Sequence, residues 1–189
     1  MSPLVLASQS PRRRELLANM GFSFEIQIAD IDESILLNEA PETAVKRLAT
    51  EKALAIQATS GSGRVILASD TIVVAGEDIL GKPQDQHHFE EMMTRLSGST
   101  HRVMTAISVC DATRHVTQLV QTAVTFCELT QTDIASYWAT GEPHDKAGGY
   151  GIQGIGGQFV LTINGSYSAV VGLPQVETKQ LLASFGVYS

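Results

Sequence analysis

Asp70 lies inside the run Val65-Ile-Leu-Ala-Ser-Asp-Thr-Ile-Val-Val74, which is apolar on both sides of Ser69-Asp70-Thr71. An ionised carboxylate is expensive to bury unless a cation or several donors compensate it. A metal ion or a lysine would do so. A strand that stops at Ser69, with Asp70-Thr71 turning in solvent, would need neither. Cations recur elsewhere. Arg12, Arg13 and Arg14 follow Ser10-Pro11, a helix start with Ser as cap and Pro in the first turn. A helix N-terminus is already partly positive, so arginines fit there when an anion binds. Ser8 and Ser10, with the unpaired N–H groups of the first turn, would complete a phosphate cradle. The alternative is a solvated basic end. Lys52 falls on the apolar stripe of Val45, Leu48, Ala49 and Ile56, where it either snorkels to water or points its ammonium at a phosphate.

Three further stretches bear on chemistry. Gly76 to Lys82 nearly matches the P-loop, but Pro83 stands where a hydroxyl would hold Mg²⁺, so that motif is rejected and Lys82 remains as a cation in a Gly-Lys-Pro turn. Glu33, in a loop with Asp30 and Asp32, and Asp70 offer two carboxylates to a divalent cation. Gly149, Gly151 and Gly154 have GxGxxG spacing, yet no apolar strand precedes them and Ile155-Gly156-Gly157 cannot open a helix. A glycine-dense loop carrying the amide of Gln153 still suits close approach to a flat ligand. Cations and carboxylates together in an acidic chain suggest an enzyme handling a metal-bound polyphosphate or nucleotide, with an Asp beside the metal placed to deprotonate a water.

The elements that must position these residues follow from periodicity. Strands are expected at 4–7, 22–28 and 65–74, the last buried on both faces as in a sheet covered by helices. A hairpin is expected from 103–110 and 116–127, and strands at 159–163 and 168–171. Helices are expected from Ser10 to Gly21, from Pro41 to about 58, through Phe89, Met92, Met93 and Leu96 to Gly98, from the Thr130 cap to Gly141, and after Pro174. The five histidines show no ligand spacing and read as surface or loop residues. No linker or repeat divides the chain, so one α/β domain over 1–189 is expected.

Composition narrows the partners. The chain has 189 residues, 43% hydrophobic, with a net charge of −7. An acidic surface argues against non-specific binding to nucleic acid or anionic membrane. Cys110 and Cys127 form no disulfide framework and no CxxC, which fits a reducing cytoplasm. The apolar run 4–7 is too short for a signal peptide, and 147–176, although uncharged, carries eight glycines and is no membrane span.

Read jointly, Leu6-Ala-Ser-Gln-Ser-Pro-Arg-Arg13, Glu33, Glu51-Lys-Ala53, Ser69-Asp-Thr71, Gly81-Lys-Pro83, Leu96-Ser-Gly98, 145–154, Gly165-Ser-Tyr167 and Val170-Val-Gly-Leu-Pro174 resemble the Maf nucleotide pyrophosphatases, also called septum-formation inhibitor proteins. The resemblance spans nearly the whole chain. It implies an α/β fold with an elongated mixed β-sheet flanked by helices, two lobes and a central cleft, like inosine triphosphatases, in a cytoplasmic homodimer. It implies hydrolysis of a nucleoside triphosphate to the monophosphate and pyrophosphate with Mg²⁺ or Mn²⁺. By position, Asp70 matches the proton acceptor and a metal carboxylate, Glu33 a second metal carboxylate, and Ser8, Arg13, Lys52 and Lys82 the phosphate-binding set. Arg12, Thr71 and Gln153 match the positions that set base choice and resemble the dTTP/UTP branch. His144, between Pro143 and Asp145, is a mild departure. A uracil or thymine edge offers N3–H beside O4, and a Gln amide can meet both, although a flipped amide also suits cytosine. A second function class stays open at this point, a nucleotide-binding regulator of septum formation acting without turnover.

Overall fold

Strand alternation sets the layers. In the computed structural model, which describes residues 4–61 and 63–189, β1 (Leu4–Ala7) pairs in parallel with β2 (Glu25–Gln27) and with β3 (Val65–Ala75). Successive side chains on a strand point to opposite faces. Leu4, Leu6, Val65 and Leu67 pack with Leu17 of α1 (Pro11–Asn19) and with Leu181 and Leu182 of α6 (Gln175–Ser184). Val5, Ala7, Ile66 and Ala68 pack with Ala53 and Ile56 of α2 (Pro41–Thr59). Burying a Leu, Val or Ile contributes about 1.5–3 kcal/mol, and β3 is covered on both faces, which is why apolar residues run on both sides of Ser69-Asp70-Thr71.

β3 continues past Asp70 and turns back through Gly76 (φ +62) into β4 (Asp78–Leu80), with Ala75 opposite Asp78. That is a two-residue hairpin loop with glycine at its first position. Then come α3 (Gln86–Leu96), β5 (Thr100–Cys110), β6 (His115–Phe126), α4 (Gln131–Ala139), short 3-10 turns, β7 (Val160–Asn164) and α5 (Tyr167–Val171). The mixed seven-stranded sheet has the order β2-β1-β3-β5-β6-β7, with β4 paired to β3. Among the described residues no helix is long and apolar enough to cross a membrane.

The backbone forms two compact units. One holds the described residues up to Asp70 with Thr105–Val120 and Gly172–Ser189, and the other holds Thr71–Met104 with Gln121–Val171. The first has the two apolar layers just described. The second has its own core, in which Phe89, Met92 and Met93 of α3 meet Ile134 and Tyr137 of α4, with Phe126, Tyr150 and Phe159.

Three sequence expectations need correction. Residues 168–171 are helical, not a strand. Ser166 accepts from Ala169 N–H through its hydroxyl (3.2 Å) and from Val170 N–H through its carbonyl (3.2 Å), which starts a turn that overrides the β-propensity of Val170 and Val171. The strand expected at 22–28 is ordered as a strand only over Glu25–Gln27, because Phe22 turns into the core beside Leu17. His101 is no surface residue. It lies on β5 at 2% exposure, with its Nε2 2.8 Å from the Tyr150 hydroxyl and its Nδ1 without a hydrogen-bond partner.

Candidate functional site

In the first unit, alternation along β3 sends Asp70 to the side of α2 and Ser69 to the opposite face. On the α2 side, Lys52 is held by the helix among buried neighbours, and its Nζ lies 2.6 Å from Asp70 Oδ1 and 2.6 Å from Glu33 Oε1. Asp70 is buried within a strand, not in a turn, and the ammonium compensates its charge. On the other face, Ser69 Oγ donates to the carbonyl of Gly172 (2.9 Å), and Arg13 Nε donates to the same oxygen (2.9 Å). Gly172 presents that carbonyl from φ +126, a conformation that favours glycine.

Arg13 enters from the first turn of α1, capped by Ser10, with Pro11 at its start and no acidic residue in that turn. Ser8, buried, accepts from Ser10 N–H (3.1 Å). Burial pushes the Arg13 guanidinium below its ordinary pKa. The Asp70 charge opposes this, Arg12 adds to it, and Glu33 opposes it. The structure therefore brings Arg13, Glu33, Lys52 and Asp70 into one electrostatic cluster, with Arg12 and Ser8 beside it.

Glu33 is carried by a loop without regular structure, and the residue that fixes this loop is Arg47. Its guanidinium bonds both oxygens of Glu39 (2.7 and 2.8 Å), Glu51 (3.1 Å) and the carbonyl of Ser34 (2.9 Å). Those bonds hold the Glu39 carboxyl down at about 2. Sequence reasoning missed Arg47. The only signal was Glu51 four residues on along α2, a spacing that also occurs on any solvated helix.

In the second unit, Thr71 is half-buried on β3, and Lys82 and Gln153 are exposed. Lys82 follows β4 in a turn that the glycine loop holds directly, since Gly148 N–H donates to the Gly81 carbonyl (3.0 Å). Gly148 has φ +71, and a Cβ there would come within 2.7–2.9 Å of the Val73 side chain. The loop is then braced by two residues that sequence reasoning passed over. Tyr137 accepts from Gly151 N–H (3.2 Å) and donates to Glu142 (2.7 Å), and Glu142 accepts from Ile155 N–H (2.8 Å) and Gly156 N–H (3.0 Å). Burial opposes ionisation of Glu142. The bonds from Gly156, Tyr137 and Ile155 and the charge of Lys146 outweigh it, so the carboxyl titrates below its ordinary range.

Among the described residues, no group of three or more His, Cys, Asp and Glu side chains is placed to hold a metal ion. Two carboxylates, Glu33 and Asp70, do converge on one cationic position. That donor set fits Mg²⁺, which is commonly held by one or two protein carboxylates and completed by substrate oxygens and water.

The family model described as Maf-like protein matches residues 3–185. The chain belongs to the Maf family. Among its Maf relatives, a protein of Pseudoalteromonas atlantica named dTTP/UTP pyrophosphatase is 53% identical over 183 residues, covering 95% of each chain. One of Escherichia coli O157:H7 with the same name is 51% identical over 185 residues, covering 98% of this chain and 94% of the other. A solved nucleoside-triphosphatase / dITP/XTP pyrophosphatase from Mycobacterium abscessus aligns over 96% of this chain and 97% of its own at 13% identity and a TM-score of 0.48. The Maf assignment fits a cluster that pairs buried carboxylate with lysine and arginine.

Proposed function

We propose that this Maf protein is a nucleoside triphosphate pyrophosphatase that hydrolyses dTTP and UTP, between the alpha and beta phosphates, to the monophosphate and pyrophosphate. The observation that carries the reading is the buried Asp70 paired with Lys52 beside Arg13 and Glu33, in a chain whose relatives carry that name. Asp70 accepts a proton from the attacking water. Arg13, Lys52, Lys82 and Ser8, with the α1 N-terminus, bind phosphate oxygens and stabilise charge as the bond to the alpha phosphorus breaks. Glu33 and Asp70 would hold a divalent cation, Mg²⁺ or Mn²⁺, which would supply Lewis-acid charge at the phosphates. Arg12, Thr71 and Gln153 set base choice, the Gln153 amide meeting N3–H and O4 of the pyrimidine. The family resemblance also implies a homodimer working in the cytoplasm.

The test is one reaction containing dTTP, UTP, CTP, ATP and GTP, with products resolved by chromatography. A purine is larger than the pyrimidine on which the glycine-dense loop would close, so dTTP and UTP should lead by about tenfold or more. Equal consumption of all five, or release of orthophosphate, overturns the reading. Binding without any turnover would favour the regulator.

The two lysines should behave differently. Lys82 is exposed, so Lys82→Met should weaken dTTP binding about tenfold or more while leaving thymidine binding and melting temperature unchanged. Lys52 is one half of a buried ion pair, so Lys52→Met should weaken dTTP binding and also cost about 3–5 kcal/mol of stability, because Asp70 loses its compensation. Calorimetric titration and thermal melts read both. Equal losses for nucleoside and triphosphate would make these lysines structural.

A further inference from the structure

Gln153 sits at the exposed tip of a turn in which Gly154 N–H donates to the Gly151 carbonyl (3.2 Å). The two ends of that turn are tied to one carboxylate and one phenol. Glu142 takes the N–H groups of Ile155 and Gly156 on its C-terminal side, and Tyr137 takes that of Gly151 on its N-terminal side. The 2.7 Å bond from the Tyr137 hydroxyl to Glu142 links the two ties. The packing leaves little room for another arrangement. A Cβ on Gly154 would collide with the Glu142 carboxylate, and one on Gly156 with the Tyr137 hydroxyl. Below the turn, Tyr137 is 2% exposed with its ring against Phe159, and Lys146 Nζ donates to the Glu142 carbonyl (2.7 Å). An acceptor-only carboxylate serves two adjacent N–H groups and a hydroxyl at once, which an amide in its place cannot do, because its NH₂ would face a donor.

We propose that Glu142 and Tyr137 are positioning residues for base selection: they fix the turn that presents Gln153, and selectivity between nucleobases depends on them although neither touches the base. This rests on the reading of Gln153 as the residue that meets the base. An amide discriminates by geometry. Its two polar atoms must meet a donor and an acceptor together, so a turn that wanders loses discrimination while phosphate binding elsewhere is kept.

The experiment compares wild type, Tyr137→Phe and Glu142→Gln. Tyr137→Phe keeps the ring packing, and Glu142 is half-exposed, so each variant controls for misfolding in the other. Three quantities are read: the ratio of kcat/KM for UTP over CTP, whose base reverses the donor and acceptor, the inhibition constant of tripolyphosphate, which has no base, and hydrogen exchange of the amides of Gly151, Ile155 and Gly156. The ratio is expected to fall about tenfold in both variants, with faster exchange at those amides and an unchanged tripolyphosphate constant. A wild-type preference that survives in both variants overturns the proposal alone. A parallel weakening of tripolyphosphate also overturns it, by making the two residues merely structural. A wild type that consumes UTP and CTP equally overturns the reading of Gln153 as the base-selecting residue and this proposal with it.

Discussion

Asp70→Asn is expected to lower the turnover of dTTP by on the order of a thousandfold, the middle of the range for a positioned general base, without unfolding the protein. Asn is nearly isosteric, and its Oδ1 can still accept from Lys52 Nζ, which now lies 2.6 Å away and keeps Glu33 as its second partner. The amide cannot take a proton from water. The change also removes a negative charge beside Lys52 and Arg13, so the triphosphate should bind as tightly as before or more so. The loss should therefore fall on kcat, with KM unchanged or lower, the pattern of an interaction made in the transition state. Rates at saturating Mg²⁺ separate this from weakened metal binding. A folded Asp70→Asn enzyme with the wild-type rate under those conditions would sink the mechanism.

The second large effect concerns acid. Burial pushes the His101 imidazole down to about 4 from an ordinary 6.5, and on protonation both ring nitrogens would carry an N–H, one of them, at Nδ1, buried without a partner. The folded state keeps His101 neutral while the unfolded chain takes up a proton below 6.5. Stability is therefore full above that value, falls as the pH drops from 6.5 to about 4, and levels off below. A shift of this size corresponds to about 3 kcal/mol over the window, a large part of the 5–15 kcal/mol typical of a domain. Carboxylates titrate in the same range, so the quantity to measure is a difference. Urea unfolding of wild type and His101→Gln at pH 7, 5.5 and 4.5 should show the stability gap between them closing as the solution is acidified. Parallel losses in the two proteins would show that His101 is not the acid-sensitive group.

Much of the scaffold was legible because it is written in local pattern. The apolar run on both sides of Ser69-Asp70-Thr71 predicts β3, Ser10-Pro11 and the Thr130 cap predict the starts of α1 and α4, and both caps form. If buried, Asp70 called for a metal ion or a lysine, and Lys52, for which snorkelling to water and a phosphate had both been open, lies beside it. The misses have a common cause. Arg13 meets Gly172 across 159 residues, and no periodicity encodes such a pair. Glu142 stands in a Gly-Glu-Pro-His segment without a repeat, and its meaning depends on which N–H groups come to face it. His101 was misread because ligand spacing says nothing about burial. Residues 168–171 failed because a capping serine outweighed the β-branched residues that follow.

Ser69 and Asp70 are neighbours in the chain and address opposite helical layers, one through the carbonyl of Gly172 and the other through Lys52. A pleated strand gives two faces to two consecutive residues only while the count along it is kept. This segment can therefore drift in composition, exchanging one aliphatic for another at Ile66 or Leu67, far more readily than in length. A single-codon deletion between Val65 and Ser69 would turn the carboxylate toward α1 and α6 and the hydroxyl toward Lys52, removing the acid–lysine pair and inverting both apolar layers in one step. The genetic tolerance of β3 should thus be asymmetric, permissive to substitution and closed to indels.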